Sequence, residues 1–216
     1  MPAEESRGTA PFGADSSWRL PIALRRPLLL LPPLLLAGLE IWHPQPEANA
    51  QAVMDASTWF AAFHVIQLAL IGLVAVSVLL LADSFRYASA WAMRLGIGTF
   101  LVFFSAYDAV AGIGTGLAMR SARDLPAPQQ EAIFDVVKDW PGFGAPFALA
   151  IVGTAGWLVA VGSLALAARR QGAPRAVWIL LALAAVFLMA GHPFPGGTLA
   201  FGSLFVAALI HELTTA

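Results

Sequence analysis

Glu40, His43, His64, Asp108 and His192 are ionisable residues inside, or at the edge of, strongly apolar stretches of the chain. A bilayer makes such groups costly, so each is a functional hypothesis by default. Glu40 and His43 are three residues apart and share one helical face. Gln67 follows His64 by three and Ser105 precedes Asp108 by three, so each pair shares a face, and Tyr107 adjoins Asp108. His192 lies in the run Gly-His-Pro-Phe-Pro-Gly-Gly, where Pro193 and Pro195 must end a helix and free its last backbone groups. An amide or carboxylate beside an imidazole is the outer support that a metal-bound histidine needs.

Three chemistries can use this set. The first is a divalent metal, zinc above all, with His64, Asp108 and His192 at the core and His43 and Glu40 at the rim. That nitrogen and oxygen shell suits zinc with one position open to water, and Gln67, Ser105 and Tyr107 would stand behind it. The second is b-type haem held between His64 and His192. The third is a proton relay or transport path through Asp108, His64 and Glu40. A plainer reading has Asp108 bonded to Tyr107, Ser105 or His64 as a lock between helices, with His43 and His192 among wet headgroups. No HxxxH, HExxH or CxxC motif decides between them.

The expected function is that of a polytopic membrane protein. Its His/carboxylate site binds a divalent metal and acts on, or carries, a lipid-soluble or periplasmic small molecule. The alternative is an accessory subunit that packs against a partner membrane subunit. With no cysteine, thiolate metal sites, iron–sulfur clusters and disulfides are out. The one lysine, Lys138, falls in a loop, which removes a retinal Schiff base. His211-Glu212, near the other end of the chain, reads as solvated.

These residues need elements to hold them. The chain has 216 residues, of which 59% are hydrophobic and 12% charged, too apolar for a soluble domain of this size. Its net charge of −1, with only 12 Lys and Arg, argues against a nucleic-acid partner. Six apolar stretches, 24–43, 58–82, 92–119, 143–168, 175–192 and 197–213, predict a six-helix transmembrane bundle in a single domain, 21–216. Spanning segments must satisfy their own backbone, which selects helices over open strands. The last two are short and need local thinning of the bilayer or help from flanking residues. Residues 1–20 read as a mobile cytoplasmic tail.

Arg7, Arg19, Arg25, Arg26, Arg86, Arg94, Arg169, Arg170 and Arg175 fall on one side, and Arg120, Arg123 and Lys138 on the other. The positive-inside rule then puts both termini in the cytoplasm and the polar cluster in the outer half. The absence of an organelle-targeting pattern fits a bacterial inner membrane. Trp42, Trp59 and Trp140 mark outer boundaries, and Trp18, Trp91 and Trp178 inner ones. In a competing reading, Arg25-Arg26, the first apolar run and Ala48-Asn49-Ala50 mimic an export signal with its cleavage site.

Gly112 and Gly116 form a GxxxG pair, and Gly96, Gly98, Gly153, Gly156 and Gly162 predict further close helix contacts. Pro32-Pro33 predicts a kink in the first helix. In the loop 120–142, Ile133, Val136, Val137 and Trp140 recur at helical spacing, which predicts a short amphipathic helix on the outer surface, a plug or a lid.

Overall fold

The computed structural model describes residues 20–46, 48–85 and 90–215. Arg7, Trp18, Arg19 and Arg86 of the orientation pattern, and the tail up to residue 19, lie outside the described residues. The described chain is all helix, without a strand. Five helices are long and apolar enough to cross a membrane: α1 (Ile22–Ile41), α2 (Ala50–Ala82), α3 (Trp91–Ser121), α5 (Gly144–Arg170) and α7 (Gly196–Thr215). The sixth, α6 (Arg175–Ala190), is equally apolar but shorter, about 24 Å at 1.5 Å per residue against a hydrocarbon core of about 30 Å. This is a multi-pass membrane protein with a short surface helix, α4 (Ala127–Val137), between the third and fourth long helices.

The helices form a closed ring in chain order. Each packs on its neighbours in sequence, α4 apart, and α7 returns to pack on α1. The interior is one apolar cluster with members such as Leu36, Ile71, Phe100, Trp157, Leu181 and Leu204, one from each helix of the ring. The buried Trp157 ring donates its Nε1–H to the Ala184 carbonyl at 2.8 Å, tying α5 to α6. Outward-facing positions stay apolar as well, among them Ile22, Val65, Leu95 and Ile151, each more than half exposed, as lipid contact requires. α1 runs as one helix through Pro27, Pro32 and Pro33.

α2 begins at Ala50, well before its apolar stretch, because Asn49 caps it by accepting the Ala52 N–H at 2.8 Å. Its extra turns stand above the ring and meet the end of α3. Arg123 donates to the Met54 carbonyl and to Ser57 Oγ, both through Nη2, at 2.8 and 3.0 Å. A second apolar cluster of Val53, Met54, Met119, Phe134 and Val137 holds α4 on this platform. The buried stripe of α4 runs through Phe134 and Val137, whereas Val136 is exposed. Phe134 offers more apolar area than Val136 and takes the inward face.

The third helix is not uniform. It widens into π-helical turns at Phe100–Phe104 and again at Asp108–Gly114. A π turn adds one residue to the hydrogen-bonded ring and rotates each following side chain by less than an α turn does. Such turns concentrate at functional sites, and the second one begins at Asp108.

Candidate functional site

Below α4, the ends of α1, α2, α3 and α6 enclose a cavity of about 280 Å³. Its walls are apolar, with Val53, Phe60, Ala111, Phe134 and Val137 among them, and Lys138 stands in its wall on the α4 side. His43, His64, Asp108, His192 and Tyr107 also line it. Glu40 and Gln67 are fully buried just behind. Residues singled out on four segments of the chain thus meet around one cavity.

Glycine makes the room for them. A Cβ at Gly112, in the second π turn, would overlap the His64 ring. A Cβ at Gly197, in the first turn of α7, would stand 2.6 Å from Glu40 Oε2. Gly116, one α turn beyond Gly112, is a true helix contact, where a Cβ would meet the Ala61 backbone nitrogen at 2.7 Å. The GxxxG pair therefore does two jobs: Gly116 seats a helix and Gly112 seats an imidazole.

The polar groups divide into two sets. In the first, Gln67 Nε2 donates to Glu40 Oε1 at 2.8 Å and contacts His192 Nε2 at 3.2 Å. His192 Nδ1 lies 3.0 Å from Glu40 Oε2, at ion-pair distance but without the angle of a directed hydrogen bond. Burial disfavours a charged His192, but the carboxylates of Glu40 and Asp108 outweigh it and shift its pKa upward. This set is a carboxylate held by the Gln67 amide, with His192 at ion-pair distance on its other oxygen.

The second set brings two imidazoles face to face beside Asp108. His64 Nδ1 lies 2.7 Å from the Phe60 carbonyl, and His43 Nδ1 lies 2.9 Å from the Pro44 carbonyl. A carbonyl only accepts, so each Nδ1 must carry the proton. Burial, followed by the nearby His192 and His64, pushes the His43 pKa down to about 3 and keeps that ring neutral. Its Nε2 therefore presents a lone pair, and that lone pair faces His64 Nε2 at 3.2 Å. Asp108 Oδ1 stands 3.8 Å from the same His64 nitrogen. Both Asp108 oxygens are buried without a hydrogen-bond partner. Thr115, seven residues further along α3 in the same cavity wall, also has an unpartnered hydroxyl.

The grouping of core and rim differs from the expectation. His43 faces His64 directly, whereas His192 is held by Glu40. Tyr107 reaches the cavity wall and donates to the Pro141 carbonyl at 3.3 Å rather than to Asp108. Ser105 is half-buried and is not among the residues lining the cavity. The His43 ring packs edge-on against both His64 and His192, with centroids at 5.0 and 5.2 Å. Among the described residues, no group of three His, Cys, Asp or Glu side chains is arranged so that it could hold a metal ion as it stands. His211 is buried against Phe85 at the opposite end, beside Glu212, which pairs with Arg25 and Arg26.

No family model matches this chain, and neither a curated protein nor a solved structure shows detectable similarity to it.

Proposed function

We propose that the cavity is a divalent-metal site of the zinc class in the outer half of the membrane, and that the protein uses it on a small molecule reaching that face. The observation that carries this reading is the pair of Nε2 atoms 3.2 Å apart, with both Nδ1 protons committed to backbone carbonyls. Two lone pairs at that separation repel unless positive charge lies between them. Anchoring Nδ1–H on a carbonyl is also how proteins orient metal-ligating histidines. Tetrahedral zinc at ~2.05 Å from each ligand needs ligand atoms ~3.3 Å apart, close to the observed His43–His64 spacing. Asp108 is the third ligand. Its Oδ1 stands 3.8 Å from His64 Nε2 and would have to move inward to join the two imidazoles on one ion.

In this reading His43 and His64 bind the ion through Nε2, and Asp108 balances its charge. Bound there, the metal would polarise an oxygen of the ligand or of water. The His192–Glu40 pair is the neighbouring proton donor and acceptor, held in place by Gln67. The haem alternative is less well supported, because His43 packs against both His64 and His192 and takes space that a porphyrin would need. Metal content of the detergent-purified protein, with Co²⁺ titration followed by visible absorption, tests the reading. About one ion per chain is expected, with loss in His43→Ala and His64→Ala. If neither zinc nor cobalt binds, the charge between the two rings is a proton and the site is a relay.

A further inference from the structure

The metal cavity has a second side. A groove of about 370 Å³ runs along the outside of α5, between it, the middle of α3 and the end of α6. Its walls are Phe104, Phe147, Ile151, Ala155, Leu158 and Met189, nearly all apolar. Tyr107, Pro141 and His192 belong to the walls of both the groove and the cavity, so the two spaces are separated by one layer of side chains. The short α6 accounts for the groove. It stops at Ala190, and the stretch of α5 from Phe147 to Leu158 is left without a full helical neighbour on that side.

From these observations we infer that the ligand of the site is an acyl lipid, which enters sideways from the leaflet, lays its chain in the α5 groove and presents a carboxylate or ester oxygen to His43, His64 and Asp108. This deepens the metal reading and rests on it. Three features favour an acyl chain over a water-borne solute. The groove opens toward hydrocarbon, with Ile151 55% and Met189 60% exposed. It follows α5 from Phe147 to Leu158, about 17 Å at 1.5 Å per residue, the depth of roughly one leaflet. Its polar groups gather toward the cavity, where Tyr107 donates to the Pro141 carbonyl in an exposed hydrogen bond that a passing headgroup could replace. The groove would thus read chain, and the cavity would read oxygen.

Two arms test this and keep its failure apart from that of the metal reading. In the first, the metal-free full-length protein in phosphatidylcholine vesicles is irradiated with a fatty acid bearing a diazirine near the chain end. Labelling should concentrate on Ile151 and Met189 and disappear in the groove-filling variants Ala155→Trp and Ala150→Phe. Labelling spread evenly over lipid-facing positions such as Val65 and Leu73 would overturn the groove, whether or not a metal binds. In the second arm, Co²⁺-loaded protein is titrated with acetohydroxamate and with decanohydroxamate. The long probe should bind at least ~100-fold tighter, since each buried methylene contributes about 0.8 kcal/mol. Either filling variant should abolish the difference and leave acetohydroxamate unaffected. A chain-length effect that persists in both variants is ordinary detergent partitioning, and the proposal falls. If Co²⁺ does not bind but labelling concentrates in the groove, the metal reading fails and the chain site stands.

Discussion

The two ends of the bundle each gather charge, and they treat it in opposite ways. At the end where α1 begins and α7 finishes, Glu212 pairs with Arg25 and with Arg26, and Arg25 also donates to Ser84 Oγ at 3.0 Å. One carboxylate meets two guanidiniums, and together they close α1, α2 and α7. The cavity beside them is the larger of the two, about 500 Å³. Under α4 the cavity is smaller, but both oxygens of Asp108 lack a partner, and two imidazoles oppose each other. Charges that satisfy one another act as a lock, whereas acceptors left without partners in a cavity are what a guest would satisfy, which is the reading proposed for the α4 end.

The largest effect should come from the residue that makes the His64 pocket possible. In Gly112→Ala the new methyl overlaps the imidazole, and a π turn pinned by its neighbours offers little retreat. Overpacking of this kind costs about 3 kcal/mol, and the displaced ring should lower cobalt affinity by about 100-fold. Thermal unfolding together with a Co²⁺ titration reads both. If stability falls while cobalt binding is unchanged, Gly112 is only a packing residue.

Glu212→Ala acts at the other end and should separate stability from binding. It strands Arg25, which is largely buried, and frees Arg26, which is half exposed. A loss of about 2 kcal/mol is expected, less than for a fully buried pair because water screens Arg26. Cobalt affinity should not change. If it falls, the two ends are coupled through α1 and the contrast between lock and site fails.

Asp108→Asn should have the opposite sign. A carboxyl group without a hydrogen bond is costly to bury, whether it ionises or holds its proton. Its amide keeps the shape and loses the charge, so the metal-free protein should gain about 1 kcal/mol, while cobalt affinity drops about 10-fold or more. A variant that is less stable without metal would show that Asp108 is held by its surroundings and serves as a helix lock.

Why part of this was legible beforehand follows from the same contrast. His64 and Asp108 stood out because hydrocarbon makes any ionisable residue conspicuous. The helical class followed from apolar runs that can satisfy their backbone in no other way. The pairing was hidden. His43 lies beyond the last turn of α1, and the turn after Trp42, rather than any periodicity, aims its ring at His64. Val136 and Phe134 compete for one face of α4, and the hydrophobic pattern does not rank them. The role of Glu212 was masked by its place near the chain end, since its partners Arg25 and Arg26 are distant in sequence.

Glycine supplies the finest test, because one residue type does three things here. Gly153 and Gly156 sit in true backbone contacts, where a Cβ would meet the backbone nitrogens of Phe104 and Phe100 at 2.7 Å. Gly112 and Gly197 clear space for ionisable side chains. Gly98 and Gly162 have nothing within 4 Å of an added Cβ, although the small-residue pattern groups them with the rest. Each lies inside a regular helix, away from both charged ends. Gly98→Ala and Gly162→Ala should therefore remove backbone freedom from the unfolded chain at no steric cost, and stabilise by about 0.5 kcal/mol each. Thermal unfolding with no change in cobalt binding is the expected result. A loss at either position would reveal a neighbour that the isolated chain does not contain, which is how a partner subunit would announce itself on that face.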